Sequence, residues 1–328
     1  MRRLLYAALK GVDISMNKPL KFGIIGILVS NLTGLATIGL TMLAASMPAN
    51  DLSPDYSPLY VFSTFTIVPI TMGLNLEIIR SKGGMEHRDK AFCSMLNLIV
   101  AYALCTVVLR EGVICLFLAS PLVILFHVLG VYLGSLVVRK SNRKLNSSIM
   151  PGLLTILMFD MLSPHAFHNS ESDSMLIHAR PEVVWQYIAA YPENREPTRY
   201  WLWKLGLPAP LQSNASSVKV GADRQCRFTG GVFAEERITD VEPCKHLAFE
   251  VVKQPDHPEA VGHFKLERGE FILRDNGDGT TTLTGTSWYE LRVYPAWYYD
   301  FWVQDIVRNV HLRVMQHIKR LSEGEGVK

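Results

Sequence analysis

The sequence predicts two unlike parts in one chain: an all-α membrane part with four or five spanning helices over residues 1–168, and an α+β domain over 169–328. Three observations predict it. Apolar runs near the ~20 residues that cross a hydrocarbon core fill the chain up to about His168 and are absent after it. From residue 174 the pattern becomes short runs of period two divided by turn residues, as in antiparallel strands. The chain then closes on residues 295–321, where Val303, Ile306, Val307, Val310, Val314, Ile318 and Leu321 recur every three or four positions and form one apolar stripe of a helix.

Residues 1–21 are basic, with Arg2, Arg3, Lys10, Lys18 and Lys21. The run behind them, 22–47, is too long for a signal-peptide core and has no cleavage-like site, so it reads as a first span. Further runs cover 59–79, 91–109 and 112–138, and a fifth, 149–166, carries Pro151, Asp160 and Pro164. The basic segments 1–21, 80–90 and 139–144 favour the cytoplasm, whereas loop 48–58 holds Asp51 and Asp55. If the fifth run crosses, the second half lies outside the cytoplasm. That is the expectation: an integral protein of the inner or plasma membrane with an extracytoplasmic C-terminal domain. Asn31, Asn75, Glu77, Asn97, His127 and Asp160 interrupt the runs without the pairing of a proton relay, and read as interhelical hydrogen bonds or snorkelling groups.

In the second half, residues 174–179 read as a strand, and Pro181 opens a helix bearing Val183, Val184, Trp185, Ile188 and Ala189. A second short helix, 197–207, carries Trp201 and Trp203, and 208–217 reads as a loop. Strands follow at 217–220, 225–229, 232–241, 246–252, 264–274 and 280–293. Gly221, Gly230, Gly231, Pro243 and the run Asn276-Gly277-Asp278-Gly279 mark the turns. In the last strand Leu283, Gly285, Ser287, Tyr289 and Leu291 share one face, which reads as the inner one. The order is therefore β, α, α, a six-stranded meander and a long helix.

Several functions are excluded. The net charge of +3 is mild, and no basic patch interleaved with aromatics appears, so nucleic acid is not an expected partner. There is no G-x-S-x-G, Walker sequence, G-x-G-x-x-G after a strand, or H-E-x-x-H, and no metal-ligand spacing; neither a metal nor a cofactor is expected. Cys93, Cys105 and Cys115 lie in apolar runs as packing residues. Cys226 and Cys244 belong to no C-x-x-C, and a disulfide between them is open if that half faces an oxidising compartment.

Ile177, Ala179, the run Pro181-Glu182-Val183-Val184-Trp185, Glu236-Arg237-Ile238-Thr239, Leu247-Ala248-Phe249 and the closing strand and helix resemble the START/Bet v 1-like superfamily. That group, also called SRPBCC, includes polyketide cyclase/dehydrase and lipid-transport families. The resemblance spans roughly 174–323, touches none of the membrane half, and rests on patterns, not on a catalytic signature. It implies a helix-grip fold: a curved antiparallel sheet wrapping the long C-terminal helix around a deep apolar cavity that takes a hydrophobic ligand.

The residues expected to meet that ligand are Phe249, Leu283, Gly285, Ser287, Tyr289, Trp302, Val307 and His311. His311 borders the helix stripe, as an acid–base group or as a satisfied core histidine. The Tyr289 hydroxyl either meets a polar end of the ligand or makes a structural hydrogen bond. Glu235 and Arg237 share a strand face, as a cross-strand ion-pair network or as a polar rim for an anionic headgroup. The function expected is a membrane-anchored protein that binds a hydrophobic or lipid-like small molecule, in lipid transfer or sensing. The alternatives are a cyclase/dehydrase-type enzyme using His311 or Tyr289, and a non-catalytic interaction module. Its partners would be that molecule and the bilayer; the oligomeric state is open.

Overall fold

The computed structural model of the protein describes residues 17–45, 62–109, 111–140, 166–257, 259 and 264–324. The chain divides into two compact units, one built mostly of the N-terminal helices and one of the strands and the C-terminal helix.

The helices are α1 (Lys18–Ala45), α2 (Phe62–Arg80), α3 (His87–Leu104) and α4 (Val113–Lys140). Among the described residues three segments are long and apolar enough to cross a bilayer, Lys18–Gly39, His87–Val108 and Val113–Arg139, which is compatible with a membrane anchor. Three, not the expected four or five, is a correction. The described part of the run 59–79 folds within α2, but Thr64, Thr66, Pro69, Thr71, Asn75, Glu77 and Arg80 dilute the apolar character of that helix. All but the last residue of the run 149–166, Asp160 included, lies outside the described residues.

Several polar groups of the helices pair with one another, although neither ring nitrogen of the buried His127 has a hydrogen-bond partner among the described residues. Asn31 Nδ2 donates to Asn97 Oδ1 at 2.9 Å, Asn75 Nδ2 to Thr33 Oγ1 at 3.2 Å, and Ser30 Oγ to the Met72 carbonyl at 2.7 Å. Buried Glu77 accepts from Arg80 Nε at 2.6 Å and from Lys90 Nζ at 3.0 Å. Helices α2 and α4 meet backbone to backbone: a Cβ on Gly73 would lie 2.2 Å from the His127 carbonyl oxygen, and one on Gly130 2.1 Å from that of Ile70.

The second unit begins with β1 (Phe167–Ile177), α5 (Pro181–Trp185) and α6 (Trp201–Lys204). Strands β2 (Pro210–Ala215), β3 (Asp223–Phe228), β4 (Phe233–Glu242), β5 (His246–Lys253), β6 (Phe264–Asp275) and β7 (Thr281–Leu291) follow, then α7 (Ala296–Ser322). The sheet has the order β1-β7-β6-β5-β4-β3-β2, antiparallel throughout. It is a curved half-barrel with the C-terminal helix. Register shifts in three of its pairs, β2–β3, β4–β5 and β6–β7, supply the extra residues that bend a sheet. Val314, Met315 and Ile318 of α7 pack against Ile177, Ile238, Leu247, Phe249, Phe271 and Leu283 of the sheet and Val184 and Ile188 around α5. This is the helix-grip arrangement the resemblance implied.

Two local assignments differ from the sequence reading. Residues 217–220 form no strand, and the second strand is Pro210–Ala215, within the stretch read as a loop. It lies at the sheet edge, where a proline without an N–H is tolerated; of its polar residues Asn214 is exposed, Gln212 half-buried and Ser213 buried. Strand β1 starts at Phe167, well before residue 174. Its first half is polar on both faces, so alternation could not reveal it. Cys226 and Cys244 are both free thiols.

Candidate functional site

The polar first half of β1 is where the domain departs from an ordinary core. Asn169, Glu171 and Asp173 are the more buried members of the β1 alternation, and they pair in register with Tyr289, Ser287 and Gly285 of β7. Above them α7 presents Asp300, Gln304 and His311, on one face at steps of four and seven. Strand pairing and helix docking thus bring together polar side chains more than a hundred positions apart in the chain.

Ser287 Oγ lies 2.8 Å from His311 Nε2, and His311 Nδ1 lies 2.9 Å from Asp173 Oδ2. The exposed Arg308 places its Nε 3.5 Å from the other Asp173 oxygen. A carboxylate accepts hydrogen bonds only, so Nδ1 carries the imidazole proton and Nε2 accepts from the serine hydroxyl. Burial lowers the His311 pKa below its ordinary value, against the opposing pull of Asp173, and favours the neutral ring that this tautomer requires.

Beside this relay, Tyr289 donates its hydroxyl to Asp300 Oδ1 at 2.7 Å. The same carboxylate accepts from Asn169 Nδ2 and Gln304 Nε2 at 2.9 and 2.8 Å. Burial, and then the Asp300 hydrogen bond, raise the tyrosine pKa. Its proton is committed to Asp300, which fits the structural reading of Tyr289. Burial, then the Asp173 charge, also raise the Glu171 carboxyl.

Between sheet and helix lies a cavity of about 70 Å³. Phe249, Phe271, Val310 and Val314 give it apolar walls, and Ser287, His311, Arg224 and Glu236 border it as polar groups. Arg224 and Glu236, opposite one another on β3 and β4, form an ion pair through Nη1 and Oε2, with side chains 3% and 5% exposed. Arg224 also donates Nε to the Ala189 carbonyl at 2.9 Å and places its guanidinium 4.5 Å from the Phe249 ring centre. The neighbouring Cys226 thiol is pushed up to about 12, first by burial and then by Glu236, and stays protonated at neutral pH.

The cavity is smaller than the deep pocket expected, well under the ~150 Å³ in which an engineered apolar cavity holds benzene. Its walls explain this. A Cβ on Gly269 would fall 2.5 Å from Phe249 Cζ, and one on Gly285 3.3 Å from Phe271 Cε1. The glycines clear the concave face, and the two rings fill the space so made.

Of the residues expected to meet ligand, Phe249, Gly285, Ser287 and His311 border the cavity. Leu283, Tyr289 and Val307 are buried away from its walls. Trp302 stacks edge-on with Trp201 at 6.4 Å and Phe301 at 5.5 Å instead of lining it. Glu235 and Arg237 face solvent and make cross-strand ion pairs, the first of the two readings given for them: Glu235 approaches Lys253 at 3.8 Å and Arg237 approaches Asp223 at 3.7 Å. The inward set of β4 is Ala234, Glu236 and Ile238, so alternation turns Glu236 to the cavity. Sequence reasoning passed over Asp173, Arg224, Glu236, Asp300 and Arg308. The available signal was that Glu236 sits opposite in phase to its neighbours; nothing in the sequence named Asp173.

No protein-family model matches the chain, and no curated protein does. Solved structures do. A protein of Nitrosospira multiformis is 16% identical, with 48% of this chain and 99% of that one covered and a TM-score of 0.33. A protein from Bacillus thuringiensis is 14% identical, with 47% and 99% covered and a TM-score of 0.32. Norcoclaurine synthase from Thalictrum flavum, solved in complex with dopamine and hydroxybenzaldehyde, is 12% identical, with 50% and 91% covered and a TM-score of 0.34.

Proposed function

We propose that this is a membrane-anchored protein whose helix-grip domain, residues 169–328, binds a hydrophobic or lipid-like small molecule, for transfer or sensing. The observation that carries the reading is the cavity against α7, with apolar walls and a few buried polar groups, the usual make-up of a small-molecule site. Each methylene removed from water there contributes about 0.8 kcal/mol, and the polar groups fix the orientation of the head. At about 70 Å³ the cavity accepts a compact end of the molecule. A longer chain enters only if Phe249 and Phe271 swing aside.

Native mass spectrometry of the detergent-solubilised full chain tests this. A co-purified molecule of defined mass is expected, and Val310→Phe, which plugs the cavity from the half-buried side of α7, should lose it. Overpacking of this kind costs about 1–3 kcal/mol, which leaves the fold measurable. A wild-type chain that carries no such molecule, or a plugged variant that keeps it, would count against the site.

We further propose an extracytoplasmic domain: the basic segments 80–90 and 139–144 favour the cytoplasm, and the reading of the apolar run 149–166 as a span puts the domain on the other side. A cysteine placed at the exposed turn position Asp278, in a chain without its native cysteines, is expected to react in intact cells with a membrane-impermeant maleimide. Reaction only after permeabilisation puts the domain in the cytoplasm.

A further inference from the structure

We propose that Ser287 is a nucleophile and that the domain cleaves a short-chain acyl ester; this rests on the reading of the cavity as a ligand site. Three observations meet at one place. Ser287 and His311 both border the cavity. Their side chains are joined at 2.8 Å through the nitrogen that accepts, and Asp173 holds the other nitrogen at 2.9 Å. The His311 ring is 6% exposed, so little bulk water competes for its nitrogens. A serine hydroxyl is a weak nucleophile until an adjacent base takes its proton and a third group orients that base. Nucleophile, base and orienting carboxylate are all in place here, on β7, α7 and β1.

The reaction balances without a further reagent. Ser287 Oγ forms a bond to the acyl carbon as its proton passes to His311 Nε2. The tetrahedral oxyanion collapses, the ester C–O bond breaks, and the leaving alkoxide takes the proton from His311. Water then attacks the acyl-serine, again giving its proton to His311. The carboxylic acid departs as the proton returns to Ser287. Asp173 is a positioning residue: it keeps the proton on Nδ1 and stabilises the imidazolium formed in each half.

The backbone of Ser287 pairs with both β1 and β6, so the sheet has no free N–H to offer the oxyanion. The cationic group bordering the same cavity is Arg224, which spends Nε on Ala189 and Nη1 on Glu236. The cavity volume sets the substrate class. About 70 Å³ is under half of the ~150 Å³ in which an engineered apolar cavity holds benzene, room for a short acyl group, with the alcohol part outside it.

The test uses the full chain in detergent, a fluorophosphonate probe with peptide mapping, and p-nitrophenyl acetate. The expected result is a covalent adduct on Ser287 in the wild type. Ser287→Ala should lose both the adduct and ester cleavage, and His311→Gln should slow labelling by about 10²–10⁴-fold. Asp173→Asn should lower kcat with KM within about twofold, a split that a merely structural role would not produce. Mapping on the wild type decides even if a variant fails to fold. Folded wild-type chain without an adduct on Ser287, or cleavage undiminished in folded Ser287→Ala, overturns the proposal. A bound molecule seen by native mass spectrometry in a chain that the probe does not label would overturn the esterase and leave the binding reading standing.

Discussion

Arg224→Met alone is expected to destabilise the C-terminal domain by about 3–5 kcal/mol, the usual cost of leaving one charge of a buried pair uncompensated. Arg224 and Glu236 have almost no exposure, and the guanidinium also holds the Ala189 carbonyl and covers the Phe249 ring. Methionine fills the volume of the stem but leaves the Glu236 carboxylate in an apolar wall without its partner. Arg224→Met combined with Glu236→Met should recover much of the loss, because a buried ion pair replaced by apolar groups of similar volume is often neutral. At about 2–4 °C per kcal/mol for a domain of this size, thermal unfolding of the full chain should separate single from double variant by several degrees. If the double variant is as unstable as the single one, packing and the Ala189 contact outweigh the charge, and the electrostatic account is wrong.

In the helical unit, Gly130→Leu is expected to be strongly destabilising, and even Gly130→Ala should be costly. The Cβ of an alanine there would lie 2.1 Å from the Ile70 carbonyl oxygen, and the reciprocal position, Gly73, leaves 2.2 Å to that of His127. Both obstacles are backbone, which cannot rotate away, so α2 and α4 must separate. Overpacking costs about 1–3 kcal/mol where side chains can yield, and a rigid carbonyl puts this case at or above the upper end. Gly39 provides the control, since a Cβ there meets nothing within 4 Å. Thermal stability in detergent should fall for Gly130→Ala and hold for Gly39→Ala. Equal stability of the two would show that the close approach of α2 and α4 is not what holds them.

Periodicity made much of the second unit legible. The apolar stripe of α7 and the two-fold alternation of β7 follow from side-chain geometry alone, and they put Ser287, Tyr289 and His311 on inward faces before any contact was known. The same logic failed where polarity hid the pattern. In β1 Asn169, Glu171 and Asp173 are inward but polar, so neither face of the strand stood out as apolar. In β2 the proline and its polar neighbours resembled a loop, because an edge strand need not look like a buried one. The span count was overstated for a related reason: an apolar average over 59–79 conceals that Glu77 and Arg80 cap α2 with an ion pair.

Local pattern was enough for the division into an apolar helical part and an α+β part, the inward face of β7 and the stripe of α7, because these depend on neighbours within a few residues. The tertiary structure alone decided which inward residues touch. The register of β1 on β7 places Asp173 against Gly285, and the docking of α7 then brings His311 within reach of both Asp173 and Ser287. Alternation allowed Glu236 or its neighbours to face the interior; the pairing of β3 with β4 set Glu236 opposite Arg224. The cavity volume was decided last, by two phenylalanine rings lying over two glycines, Phe249 on Gly269 and Phe271 on Gly285. Contacts between residues more than a hundred positions apart, and the space left between them, depend on register and packing, which a local pattern does not encode.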